Sequence, residues 1–149
     1  MKRTLSVLFA AMVALLSLVG TATAGPAAPA KSPVTIHMPV RHDLAPLALS
    51  CPSGDLCVWP VSDGSSSRCS WVNRDNDWWN APTVCSWSSS RTVQAVYNHG
   101  TSSSYGVCLY PGANYTGNYA YIFPQGQQVQ SWPQDTIRSH KWVTGTSCF

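Results

Sequence analysis

The sequence predicts an all-β domain tied by disulfides. Three observations carry this. Short segments with two-residue apolar alternation are separated by turn clusters. No segment sustains a long 3.6-residue apolar pattern. Six cysteines, an even number, follow a leader of the export type. Many short strands at close spacing point to a sandwich or barrel.

The N-terminus comes first because it sets the compartment. Lys2 and Arg3 precede an apolar run from Leu5 to Val19, and Ala22-Thr23-Ala24 supplies the small residues a signal peptidase reads. Residues 1–24 are expected to be a cleaved signal peptide, which leaves 149 − 24 = 125 residues. The apolar run is short for a membrane span of about 20 residues. Residues 25–50 hold five prolines and no cysteine or tryptophan, and read as an extended leader or pro-segment. His37, His42 and Asp43 lie in this stretch, where nothing holds them together as metal ligands.

Residues 51–149 form the expected domain. They contain all seven tryptophans, all six tyrosines and all six cysteines, Cys51, Cys57, Cys69, Cys85, Cys108 and Cys148. At about 99 residues the domain is small, and disulfides would supplement its core. No pair has the C-x2-C spacing of a zinc site. In "TVQAVYN", Val93, Ala95 and Tyr97 share one face. In "NYAYIF", Tyr119, Tyr121 and Phe123 alternate with Ala120 and Ile122. Between such strands lie "SDGSSS", "NHGTSSSYG", "PGANYTGN" and "FPQGQQ". A weak internal repeat is also visible. "CVWP" at Cys57–Pro60 is echoed by "CLYP" at Cys108–Pro111, and "TVQAVYN" by "TIRSHKW". Two such units would pack face to face, since neither buries its apolar side alone.

Charge and motifs exclude several functions. After loss of Lys2 and Arg3, seven basic residues face six acidic ones, with no basic run. Nucleic acid and anionic membranes lack electrostatic support as partners. There is no H-E-x-x-H and no G-x-S-x-G. His99 and His140 have no evident nucleophile partner, so no enzyme and no cofactor are expected. "NRDNDWWN" places Asp75, Asp77, Trp78 and Trp79 in an expected loop. That loop is a candidate glycan surface, with rings to stack on sugars and Asp to bond hydroxyls. "NYT" at Asn114–Thr116 matches a glycosylation sequon.

Tyr110, four residues, then Tyr115-x-Gly117 and alternating aromatics resembles the first hairpin of a βγ-crystallin Greek-key motif. In that motif the aromatics pack on the folded hairpin and the glycine takes a conformation costly to other residues. "QDTIRSHKW" resembles the segment that closes the motif. The first half resembles a worn copy that keeps Trp59 and Gly64. "SCPSGDLCVW" at Ser50–Trp59, "AVYNHG" and "VCLYPGANYTG" are similar to secreted actinobacterial proteins of the peptidase-inhibitor family typified by the Streptomyces metalloproteinase inhibitor. The resemblance covers residues 50–142.

It implies a βγ-crystallin-like Greek-key sandwich of two motifs. It also implies a secreted, monomeric inhibitor of an extracellular protease, a metalloprotease first, docking a rigid loop like a substrate. The reactive bond of the family's type member maps onto Cys108–Leu109, and an apolar residue after the scissile bond suits thermolysin-like proteases. Gly112 or Ala113 stands where the type member has a second cysteine. The family-like opening implies Cys51–Cys57. Cys69–Cys85 and Cys108–Cys148 are the expected remaining pairs, with exchanges between them open. The calcium motif of microbial βγ-crystallins maps onto Gln134–Ser139. Asp135 and Ser139 survive there, and Arg138 stands at a ligand position, so no metal is expected. The alternatives are a binding module for glycan or cell surface, a killer-toxin-like protein, or a structural protein with decayed calcium sites.

Overall fold

The two echoes in the sequence become equivalent strands in a computed structural model, which describes residues 31–38, 49–132 and 134–149. The expected signal segment, His42 and Asp43 lie outside the described residues. Eight strands run in chain order: β1 Val34–His37, β2 Leu56–Trp59, β3 Cys69–Trp71, β4 Ala95–Asn98, β5 Tyr105–Tyr110, β6 Tyr119–Pro124, β7 Gln128–Gln130 and β8 Ser139–Thr144. One sheet has the order β3-β2-β4-β7, the other β1-β6-β5-β8. "CVWP" ends β2 and "CLYP" ends β5. β2 pairs antiparallel with β4, and β5 with β8, so each repeat contributes an equivalent antiparallel pair to its own sheet.

The repeats interlock. β7 belongs to the second repeat by sequence but pairs with β4 of the first. The first repeat returns the exchange with one residue: Asp75 forms an isolated antiparallel bridge with His140 of β8. The fold is therefore the expected all-β Greek-key sandwich of two motifs.

Residue alternation explains why the central strands are buried on both faces. Leu56 and Val58 of β2, Val107 and Leu109 of β5, and Tyr121 and Phe123 of β6 point into one core between the sheets, with Trp71, Trp78 and Trp132. The intervening residues face outward and are covered there as well. Cys57, Trp59 and Ala95 pack with Leu49 on one outer face. Cys108, Tyr110, Ala120 and Ile122 pack with Cys148 on the other. Each large side chain so buried is worth roughly 1.5–3 kcal/mol. Gly117 has φ +143, and a β-carbon there would lie 2.6 Å from Pro111 Cγ. This is the position at which the Tyr-x-Gly hairpin requires glycine. Gly64 of the first repeat likewise has φ +69.

One expectation is corrected. Residues 25–50 do not lie wholly outside the domain. Val34–His37 pairs in parallel with Tyr119–Ile122 on β6. Thr35 Oγ1 accepts from Cys148 N–H at 3.0 Å, and Gln127 Nε2 donates to the Met38 carbonyl at 3.1 Å. Leu49 is buried. Pro33 precedes an apolar, β-branched segment, and an edge strand tolerates proline at its start.

The disulfides are Cys51–Cys57, Cys69–Cys85 and Cys108–Cys148, with no free cysteine among the described residues. The first and third sit in the two outer apolar clusters, one per repeat. Their sequence separations are 6 and 40. Loop-closure entropy then ranks them at about 2 and about 4 kcal/mol. Urea unfolding of the two double Cys→Ala variants is expected to show the larger loss of stability for Cys108→Ala with Cys148→Ala.

Candidate functional site

The segment from Asn73 to Cys85 carries the surface features expected of the site, and it is built on His140. That imidazole is fully buried. Its Nδ1 accepts from Trp78 Nε1–H at 2.8 Å, and its Nε2 lies 2.9 Å from the Asn73 carbonyl. A carbonyl only accepts and an indole only donates, so the proton sits on Nε2 and the ring is neutral. Burial holds its pKa down to about 3, against a smaller upward pull from the Asn73 hydrogen bond. Trp71 stacks on Trp78 at 4.5 Å, and both rings lie against the imidazole.

The neighbouring residues are fastened in turn. Asp75 and His140 exchange both backbone hydrogen bonds, at 3.0 and 2.9 Å. Asn76 accepts from Asn114 N–H at 2.7 Å and donates through Nδ2 to Asn114 Oδ1 at 3.0 Å. Arg138 meets the Asp77 carboxylate through Nε at 2.8 Å and Nη2 at 2.7 Å. That charge-assisted fork holds the Asp77 pKa well below the usual carboxylate range. The Arg138 guanidinium also lies 4.0 Å over the Trp79 ring. Trp78 N–H donates to the Arg138 carbonyl at 2.8 Å, and Cys85 N–H to the Trp78 carbonyl at 2.7 Å. Between those last two anchors Asn80–Val84 is exposed throughout.

The structure therefore divides the sequence candidates. Trp78 is fully buried and Asp75 is 5% exposed, so neither presents itself to a sugar. Trp79 is half-buried beneath Arg138. The expected glycan face of Asp75, Asp77, Trp78 and Trp79 is instead the seam between the two repeats. The bond expected to be reactive, Cys108–Leu109, is buried. Cys108 and Leu109 have no exposed surface. They lie in β5, hydrogen-bonded between β6 and β8. A protease reaches that bond only after the sheet opens. Cys108 starts no loop here because its partner is Cys148, not a cysteine near residue 113.

The calcium-motif residues are committed elsewhere. Asp135 accepts from the Tyr121 hydroxyl. Burial, and then that carboxylate, push the Tyr121 pKa upward. Ser139 Oγ donates to the Gly112 carbonyl at 2.6 Å and accepts from Tyr115 N–H at 3.1 Å. Among the described residues no group of three or more His, Cys, Asp or Glu could hold a metal ion. His99 Nδ1 lies 2.8 Å from the Cys51 carbonyl and stacks on Tyr97, a structural position.

Residues 45–122 match the model of peptidase inhibitor family I36, which is 78 of 149 residues. The chain belongs to that family. No curated protein matches it significantly. A solved chain from work on the evolution of the eye-lens βγ-crystallin domain fold is similar, at 14% identity and TM-score 0.49. The alignment covers 64% of this chain and 92% of that one. This I36 member buries Cys108 and Leu109 and exposes Asn80–Val84 ahead of Cys85.

Two predictions test the build of this site. His140 has an ordinary pKa of 6.5 and a native one near 3. Between these values the unfolded chain binds a proton that the native protein does not, so stability is full above about pH 6.5 and is lost as pH falls toward 3. Urea midpoints are expected to drop between about pH 7 and 5, with a flatter profile in His140→Gln. Arg138→Ala removes the grip on Asp77 and the cover of Trp79. Hydrogen exchange is expected to quicken at the Trp78 and Cys85 amides, while the β5 amides keep their protection.

Proposed function

We infer that this protein is a secreted inhibitor of an extracellular protease, and that its target is a metalloprotease of the thermolysin type. The observation that carries this reading is membership of the I36 family across residues 45–122. The scaffold supports it on physical grounds. Three disulfides and two outer apolar clusters make a small domain rigid. A segment already ordered before docking loses little entropy when it enters a cleft. The role is binding, not catalysis. The N-terminal signal pattern and the complete pairing of the described cysteines support export to an oxidising space.

The test is a titration of the full exported chain against thermolysin, subtilisin and trypsin, following cleavage of a small substrate. The expected outcome is stoichiometric loss of thermolysin activity, with the two serine proteases unaffected. Stoichiometric inhibition of a serine protease alone would overturn the metalloprotease assignment. No inhibition of any of the three at micromolar protein, with the disulfides confirmed by mass, would overturn the inhibitor reading.

A further inference from the structure

We propose that the exposed segment Asn80–Val84 is the protease-docking element, with Val84 filling an apolar subsite just beyond the bond presented, Thr83–Val84. This rests on the inhibitor reading above and specifies its site. The partner is an extracellular endopeptidase whose first subsite after the scissile bond is apolar.

Docking like a substrate makes three physical demands. The segment must be exposed, its ends must be fixed, and its backbone groups must be free to pair with the enzyme. Two runs of five exposed residues occur among the described residues, Asn80–Val84 and Thr101–Tyr105. Both are fastened at their ends, the second by Gln125 Nε2 on the Gly100 carbonyl and by Tyr105 pairing with Thr144, but the second also bonds its own backbone, Tyr105 N–H to the Ser102 carbonyl at 3.2 Å. The first run stands outside both sheets. On its leading side, Trp78 N–H is bonded to the Arg138 carbonyl, and Asn80 Nδ2 reaches Asp77 Oδ2 at 2.8 Å. On its trailing side Cys85 is buried and joined to Cys69 on β3. The Cys85 N–H to Trp78 carbonyl bond closes the base at 2.7 Å. Among the described residues, the backbone groups of Ala81, Pro82, Thr83 and Val84 make no hydrogen bond within the chain. Val84 is 56% exposed, an apolar side chain at the end of an otherwise polar or small tip.

The disulfide map separates the two runs further. Cys69–Cys85 is the bridge that spans Thr83–Val84, since Cys51–Cys57 lies wholly before it and Cys108–Cys148 wholly after. Slow hydrolysis there adds one water. The water oxygen goes to the Thr83 carbonyl carbon to give a carboxylate, and both water protons end on the Val84 nitrogen to give an ammonium. The two new ends stay joined through Cys69–Cys85, one residue from the cut, and continue to occupy the cleft. A cut anywhere in Thr101–Tyr105 is spanned by none of the three bridges.

The experiment titrates thermolysin with the full chain and with Val84→Asp and Tyr105→Asp. Both positions are exposed, and thermal melting checks that both variants keep the native transition. The expected result is at least a hundredfold rise in the inhibition constant for Val84→Asp, with Tyr105→Asp equal to the unsubstituted chain. An unchanged constant for Val84→Asp, with the parent protein inhibitory, overturns the docking assignment and leaves the inhibitor reading standing. A parent protein that fails to inhibit thermolysin overturns both.

Discussion

A neutral imidazole with no exposed surface ties the second repeat to the Asn73–Trp78 segment of the first. His140 belongs to β8, yet its two ring nitrogens serve Trp78 and Asn73 of the first repeat. Its backbone serves Asp75 of the same segment. Both ring nitrogens must be satisfied, because an unmet buried donor or acceptor costs about 1–3 kcal/mol. The geometry therefore allows one tautomer and one charge state. Asn73, Asp75 and Trp78 take their positions from His140, and Asp77 and Trp79 from the neighbouring Arg138, while Asn76 is held by Asn114 and Cys85 by Cys69. The buried Trp71–Trp78 stack fills the volume beside it.

The repeats are equivalent in their central strands and unequal in their exchange. The second repeat sends a three-residue strand, β7, to the partner sheet. The first sends a single bridged residue, and its chain then continues into the 76–92 region instead of extending the ladder. The first repeat is seven residues longer between matching landmarks, Cys57 to Thr92 against Cys108 to Thr136. That excess lies where the second repeat has a strand. A fully paired third strand would have consumed the backbone groups that Ala81–Val84 keep free. At the opposite edge of the same sheet, β1 covers β6, so the unpaired groups of that strand do not face solvent.

Much of this architecture was legible in residues. The Cys-apolar-aromatic-Pro echoes mark β2 and β5, and the alternating aromatics of "NYAYIF" mark β6. Gly117 was legible because only a residue without a β-carbon fits beside Pro111 there. What stayed hidden has a common cause. Two-residue alternation assigns residues to faces, but here both faces of the central strands are covered, so alternation does not say which residues reach solvent. Cys108–Leu109 looked presentable by its likeness to a known reactive bond, and burial removes it. Trp78 and Asp75 looked exposed because polar residues surround them, while their partner His140 lies far away in sequence. The one available signal was positional: "NRDNDWW" stands where the first repeat owes its partner a strand. β1 was hidden by composition, since the proline content of residues 25–50 outweighed the short run Val34-Thr35-Ile36.

Burying one bond and exposing another follows from how strands and loops use their backbone. Opening Cys108–Leu109 to an enzyme means breaking ladders to β6 and β8 together and uncovering two apolar clusters. That is close to unfolding the second repeat, and no docking energy of ordinary size offsets it. Presenting Thr83–Val84 breaks nothing, because its backbone groups have no partners to lose. The anchoring is also placed to resist what the enzyme would do. Hydrolysis relieves a constraint only if the new ends move apart, and here Cys85 is held by a disulfide, a backbone hydrogen bond and burial. Thr83 remains tethered through Asn80 and Trp78 to Asp77 and Arg138. The same fastening that makes the segment costly to reorganise keeps it presented before and after a cut, and so the constraint set by His140 extends to the surface.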